Sequence, residues 1–213
     1  GQTTLLEAYL SPVLAGFIDN LRKLFKNVKI EIMQSSGGLI DFDEIRAGNT
    51  LLSGPAGGVA GCIELFKKKS LPVIGFDMGG TSTDVSRYDG HIARKSEAVI
   101  TGIKHRTDML DIETVAAGGG SVCTFRDSRY QVGPESAGAD PGPACYGLGG
   151  PATITDANLI LGRIVVEQMN PTFGKNRNQT LDKMASENVF QKLANSISSH
   201  LGKPFSMEQT PLG

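Results

Sequence analysis

Apolar residues open the chain at a helical spacing. Leu6, Leu10, Val13, Leu14, Phe17, Ile18, Leu21 and Leu24 recur every three or four positions, so residues 4–26 are expected to form a one-faced amphipathic helix. Pro12 belongs near a helix start or kink, with Ser11 as a candidate cap. The pattern then shortens. Val28 to Met33 reads as a strand ended by Ser35-Ser36-Gly37-Gly38, and a short helix is expected around Phe42 to Ala47. A further helix begins near Ser53-Gly54-Pro55 and continues through Ile63, Leu65 and Phe66 to Lys69. Ser53 can cap it, and Pro55 suits a first turn that needs no amide. Each glycine inside it (Gly57, Gly58, Gly61) costs about 1 kcal/mol against alanine. Such glycines imply close approach of the backbone to another element or to a ligand, and both readings stay open.

Val73 to Met78 is a short apolar strand, Gly79-Gly80 a turn, and Thr81 to Tyr88 a second strand. Asp89-Gly90 signals a hairpin into His91 to Val99, so the three strands are expected to form an antiparallel meander. Thr114 to Ala117 leads into Gly118-Gly119-Gly120-Ser121. Val122 to Phe125 and Arg129 to Val132 then flank Arg126-Asp127-Ser128 as another hairpin. Residues 133–151 form a long loop rich in glycine and proline. Loops of that length are functional or disordered, and the few charges, with Cys145 and Tyr146 as packing residues, point to order. Thr155 to Arg163 is a short capped helix ending at a glycine, and a last helix runs from about Leu181 to His200. No internal repeat is present. The expected division is a helix-strand-helix segment over 1–70, an α/β core over 71–165 and a polar helical tail over 166–213.

Composition narrows the function classes. With 213 residues, 39% of them hydrophobic, the chain can bury a sizeable core. Its 21 basic and 22 acidic residues leave a charge of −1, which gives no footprint for nucleic acid or membrane. The 27 glycines fall in short clusters beside apolar runs, as many specialised turns require. Cys62, Cys123 and Cys145 form no C-x-x-C pair, so reduced thiols in a cytoplasmic protein are expected rather than zinc or disulfides. His91, His105 and His200 lack metal spacing. No apolar run approaches the ~20 residues of a membrane span, and no basic-then-apolar leader is visible. The chain opens on Gly1 rather than Met and closes on Gln209-Thr210-Pro211-Leu212-Gly213. Both ends are expected to be cut, and a site to be divided by the cut.

The densest chemical signal is Phe76-Asp77-Met78-Gly79-Gly80-Thr81-Ser82-Thr83-Asp84-Val85. An acid closes an apolar strand, two glycines turn the chain, and hydroxyls open the next strand. Consecutive backbone N–H groups at such a turn suit a phosphate. Thr81, Ser82 and Thr83 add donors, Asp77 can hold Mg²⁺ through water, and Asp84 is a second candidate acid. An ordinary glycine hairpin, with Asp and Thr satisfying backbone groups, explains the same residues. Neither Gly174-Lys175 nor Gly202-Lys203 completes a P-loop, Gly147 to Ala152 follows no strand, and no Gly-x-Ser-x-Gly elbow occurs.

These residues resemble the second phosphate-binding loop of the actin-like ATPase superfamily, in the wording of its hydantoinase A/oxoprolinase branch. Similar blocks stand in the same order: Met33 to Gly38, Ser53 to Val59, Thr114 to Ser121, Gly133 to Tyr146 and Thr153 to Asn158. The resemblance covers roughly residues 1–165, and Val73 to Tyr88 looks most like the ATP-dependent 5-oxoprolinases. It implies an α/β, partial actin-like ATPase (ribonuclease H-like) fold, with a β-meander around the phosphate loop and flanking helices. It implies ATP and Mg²⁺ as cofactors and ATP-driven opening of a cyclic amide, most of all 5-oxo-L-proline. On this resemblance Gly79, Gly80, Thr81, Ser82 and Thr83 hold or support phosphate, and Asp77 and Asp84 are the catalytic acids, Asp77 also meeting the metal. Gly118, Gly119, Gly120 and Ser121, with the Glu135 to Cys145 loop, line the cleft. Glu135, Asp140 and Asp156 fit either a cleft or a capping role. No second Asp-x-Gly-Gly-Thr occurs and residues 165–213 hold no glycine-rich nucleoside segment, so the chain is expected to carry half an ATP site and to be inactive alone. The implied partners are the rest of the parent enzyme or a hydantoinase B-type subunit, with homo-oligomerisation open. Alternatives are a hydantoinase or ATP-dependent ketone carboxylase subunit, and a non-catalytic actin-like module or inactive truncated product.

Overall fold

The computed structural model describes residues 1–67, 71–100 and 102–206. The expected end of the second helix at Lys69 and the closing segment from Gln209 lie outside the described residues. The chain forms two compact units, one of residues 1–77 and 84–114, the other of 78–83 and 115–213.

In the first unit, α1 (Gln2–Leu24) carries Pro12 in its interior. Ser11 is not a cap: its hydroxyl donates to the Glu7 carbonyl one turn back, inside the helix. Leu6 and Ile18 are buried, whereas Val13, Phe17 and Leu24 of the expected apolar face are exposed. Strands β1 (Glu31–Met33) and β2 (Leu39–Asp41) form a hairpin with Ile32 opposite Ile40, turned at Gly37 with φ +81°. The helix expected at Phe42 to Ala47 is absent. Asp41 takes the Asp43 amide in a turn, and a 3-10 turn follows at Ala47–Thr50. That turn starts where it does because Glu7 of α1 accepts the N–H groups of Ala47 and Gly48.

Helix α2 (Ser53–Phe66) has Leu52 at its N-cap and no side-chain cap, so Ser53 is its first residue rather than the cap. The Leu52 amide is held by the Ser35 hydroxyl instead. Ala56 and Val59 pack with Leu110 and Ile112 as the core of this unit, joined by Met33, Ile63 and Ile92.

Strands β3 (Val73–Met78), β4 (Thr83–Tyr88), β5 (Arg94–Ile100), β6 (Ile103–Leu110) and β7 (Glu113–Val115) follow. The expected meander is corrected at its third strand: β4 lies between β3 and β7, and β5 pairs with β6. Among the described residues, a single bridge from Tyr88 to Ile92 continues from β4. The Asp89-Gly90 turn reverses the chain, but it does not choose the neighbour. β5 pairs instead with the strand that follows it, and two exposed charge pairs cross that hairpin, Arg94 with Asp108 and Arg106 with Glu97.

In the second unit, β8 (Ser121–Arg126) and β9 (Arg129–Ser136) form the expected hairpin. Its two-residue turn puts Asp127 and Ser128 at φ 51° and 62°, the backbone that matches strand twist. β9 runs past the expected end at Val132, into the segment read as loop. The rest of that loop is ordered around a 3-10 turn at Ala144–Tyr146, with Cys145 fully buried. Helix α3 (Ile154–Ile160) is capped by Thr153 and starts one position before the expected start at Thr155. Helix α4 (Lys183–Leu201) is capped by Asp182 and stops at Gly202 with φ +64°. Phe190 packs with Ala152 and Ala157, while Leu159 and Leu181 pack with Cys145. Among the described residues no helix is long and apolar enough to cross a membrane.

Candidate functional site

The glycine turn between β3 and β4 belongs to the second unit, and a second glycine loop of that unit clasps it. Gly79 N–H donates to Ser82 O at 2.8 Å, closing the turn. Gly119 N–H then donates to Gly79 O at 3.0 Å, and Gly120 N–H to Gly80 O at 2.6 Å. A trans peptide is planar, with its C=O and N–H pointing opposite ways. Pinning the carbonyls of Gly79 and Gly80 toward the 118–120 loop therefore turns the N–H groups of Gly80 and Thr81 away from it. No acceptor for either N–H occurs among the described residues. These two consecutive, outward amides are the anion-binding geometry that the turn offers.

The turn's own glycines are not demanded by backbone conformation. Neither Gly79 nor Gly80 has a positive φ, and a Cβ added at Gly80 would meet nothing within 4 Å. Gly118 and Gly120 are the opposite case: a Cβ on Gly118 would lie 2.7 Å from Gly80 O, and one on Gly120 at 2.8 Å from the same atom. Backbone touches backbone there. The amides of the clasp are all engaged, since Gly118 N–H goes to the Ser121 hydroxyl and Ser121 N–H to Gly118 O. Thr83 is buried and its hydroxyl donates to Ala117 O at 2.6 Å, fixing the end of the turn. Thr81 is exposed and Ser82 half-buried.

Behind the clasp stands α3. Thr155 donates both its N–H and its hydroxyl to Gly119 O, and Ala137 N–H donates to Gly120 O. Next to Thr155, Asp156 is wholly buried and accepts from five groups: the amides of Ala144, Cys145 and Thr153 and the hydroxyls of Thr153 and Ser186. Of the two roles open to Asp156, this is capping, widened into a hub for a loop and two helices. Burial and the nearby Asp156 charge raise the Cys123 thiol to about 11 and push that of Cys145 higher still. All three cysteines are free, and the two beside Asp156 stay protonated thiols at neutral pH.

The acids lie in the first unit. Asp77 and Asp84 line one pocket of about 210 Å³ with Gly58, Cys62, Ser86 and Ile112. Asp84 accepts the Thr114 hydroxyl at 2.7 Å, whereas the Asp77 carboxylate accepts no hydrogen bond from the described residues. A Cβ on Gly58 of α2 would come 3.3 Å from Asp77 Oδ2, so one of the helix glycines does serve a close approach. Gly54 and Gly61 face open space. No group of three or more metal-ligating side chains occurs among the described residues.

A wider cleft of about 660 Å³ lies in the second unit, lined by Asp140, Tyr146, Phe173, Lys175 and Arg177. Of these, only Asp140 was a sequence candidate. Glu135 is exposed on β9. Thr155, Ala137 and Ala117, which hold the clasp and the turn, lie in blocks of the sequence resemblance but were not singled out, because each bonds a residue many positions away.

The family model for Hydantoinase/oxoprolinase matches residues 1–209. The chain is 43% identical to the 5-oxoprolinase of Saccharomyces cerevisiae, over 99% of its own length and 17% of that protein. Among solved structures it is similar to the ATP-dependent caprolactamase from Pseudomonas jessenii, with a TM-score of 0.67, 32% identity, and 100% of this chain and 31% of that one covered. A second likeness is to acetone carboxylase in its nucleotide-free structure, with a TM-score of 0.72, 24% identity, and 93% and 27% covered. The fold is thus the α/β, actin-like ATPase type. The chain spans about a sixth (17%) of the length of the yeast relative it matches.

Proposed function

Because the chain belongs to the hydantoinase/oxoprolinase family, we propose that it supplies a phosphate-binding portion of an ATP-dependent enzyme that opens a cyclic amide. The lactam of this reading is 5-oxo-L-proline, which with ATP and water gives L-glutamate, ADP and phosphate. The greater identity to the yeast 5-oxoprolinase than to caprolactamase supports that choice of substrate. The single observation that carries the reading is the clasp: two glycine carbonyls held by Gly119 and Gly120, leaving the amides of Gly80 and Thr81 free for phosphate oxygens.

An amide carbon is a poor electrophile, and ATP supplies the phosphoryl group that turns the amide oxygen into a leaving group. The chain's own residues position and stabilise charge. Gly80 and Thr81 offer backbone donors, and the hydroxyls of Thr81 and Ser82 add two more. Thr83 anchors the turn to Ala117, and Gly118 to Ser121 serve by holding it rather than by donating. Asp77 and Asp84 are the acids of the reading. Within the first unit, their shared pocket, with an uncommitted Asp77 carboxylate and the Ser86 hydroxyl, offers oxygen ligands of the kind Mg²⁺ takes. Asp77 would hold the ion, and the ion would supply neutralising charge. The remaining segments of a longer enzyme, or a hydantoinase B-type partner, complete the machinery in the cytoplasm, where reduced thiols persist.

Two outcomes test this. In the full-length enzyme that carries this chain, Asp77→Asn is expected to lower ATP-coupled hydrolysis of 5-oxo-L-proline by roughly a hundredfold or more, the scale of a lost charge-stabilising group. Unchanged turnover refutes the role of Asp77. The 213-residue chain alone is expected to release no phosphate from ATP with the lactam present, and turnover by it overturns the statement that it holds only part of the machinery.

A further inference from the structure

We infer that Thr155 is a positioning residue that sets the affinity of the glycine turn for phosphate, acting through the Gly119–Gly120 peptide. The inference rests on the reading of that turn as the phosphate site. The peptide between Gly119 and Gly120 is one rigid plane. Its oxygen accepts the Thr155 N–H at 2.8 Å and the Thr155 hydroxyl at 2.9 Å, which occupies both lone pairs. Its other end, Gly120 N–H, donates to Gly80 O at 2.6 Å. Fixing the oxygen therefore aims the N–H. Aiming the N–H fixes the Gly80–Thr81 peptide, whose own N–H is one of the two outward donors.

Three features keep this relay stiff. A Cβ on Gly119 would lie 2.6 Å from Thr155 Oγ1, so the hydroxyl reaches its carbonyl only across a glycine. Thr155 sits in the first turn of α3, locked by the Thr153–Asp156 capping box. The neighbouring peptide is held in the same way, with Gly120 O bonded to Ala137 N–H. Among the described residues Thr155 makes no hydrogen bond to the turn, to Asp77 or to Asp84, so its effect on ligand passes through the relay.

Thr155→Val keeps the shape and the backbone donor but removes the hydroxyl bond, and Thr155→Ser keeps the bond. In the full-length enzyme, Thr155→Val is expected to raise KM for ATP about tenfold, the scale of one hydrogen bond, with KM for 5-oxo-L-proline unchanged and the melting temperature close to wild type. Thr155→Ser is expected to restore KM for ATP. In parallel, hydrogen exchange at the Gly119 and Gly120 amides is expected to quicken about tenfold in the valine variant, with α4 unaffected. Unchanged exchange at these amides overturns the relay, and so does an unchanged KM for ATP. A wild-type enzyme without ATP turnover sinks the functional reading instead, and the exchange measurement still decides whether Thr155 positions the loop.

Discussion

Alanine at Gly118 or Gly120 is expected to abolish nucleotide-dependent activity, by a hundredfold or more, roughly the loss seen when a preorganised backbone donor is displaced. The reason is steric before it is chemical. The new Cβ on residue 118 meets Gly80 C and O at 2.7 Å and Gly79 O at 2.8 Å, and that on residue 120 meets Gly80 O at 2.8 Å. Those neighbours are backbone atoms, with no rotamer to yield. The two loops must separate, the bonds from Gly119 and Gly120 lengthen, and the peptides of the turn lose their orientation. Overpacking of this kind costs about 1–3 kcal/mol of stability as well. Alanine at Gly80 is the control, because its Cβ enters open space: stability is expected to hold while ATP affinity falls. Urea unfolding and ATP-coupled assays on the three variants of the full-length enzyme that carries this chain measure both effects. Wild-type activity in Gly118→Ala and Gly120→Ala would mean that the clasp does not organise the turn.

The second large effect is at Asp156. Replacing it with alanine strands five donors in a buried site: three amides and two hydroxyls. An unmatched buried donor costs about 1–3 kcal/mol before relaxation and water entry, and removing one side of a buried charged network costs roughly 3–5 kcal/mol. Asp156→Ala is expected to lower unfolding free energy by that amount, with Asp156→Asn between it and wild type because one acceptor oxygen remains. Denaturant unfolding followed through the second unit reads this directly. A loss below about 1 kcal/mol, the scale of an ordinary single hydrogen bond, would remove Asp156 from its place as hub.

What the sequence made legible was local. The β3 strand, the glycine turn after Asp77, the Asp127-Ser128 hairpin and the capped α3 each follow from neighbours within a few positions, where turn chemistry and periodicity act. The errors came where a distant partner outcompeted the local signal. Ser11 and Ser53 have cap chemistry, but one bonds inside its helix and the other is preceded by Leu52, whose amide Ser35 already holds. The helix expected at Phe42 to Ala47 gave way once Glu7, in α1, took the amides of Ala47 and Gly48. β5 left the meander for β6, the strand that follows it in sequence, with charge pairs across that hairpin. In the site the same division holds. The turn after Asp77 was readable as a tight glycine turn with free donors, whereas the parts of Thr155 and Ala137 were not, since nothing in their own surroundings marks a bond to Gly119 or Gly120.

The second unit also borrows residues 78–83 from far upstream. On a growing chain this hexapeptide emerges before the loop that pins it, with the strands of residues 84–114 in between. A nascent chain halted before Gly118 therefore carries the glycine turn without its clasp. The outward amides of Gly80 and Thr81 become organised only when Gly119 and Gly120 arrive, and the Gly119–Gly120 peptide is itself aimed only once α3 has been made. Within this chain the turn is translated before the residues that organise it.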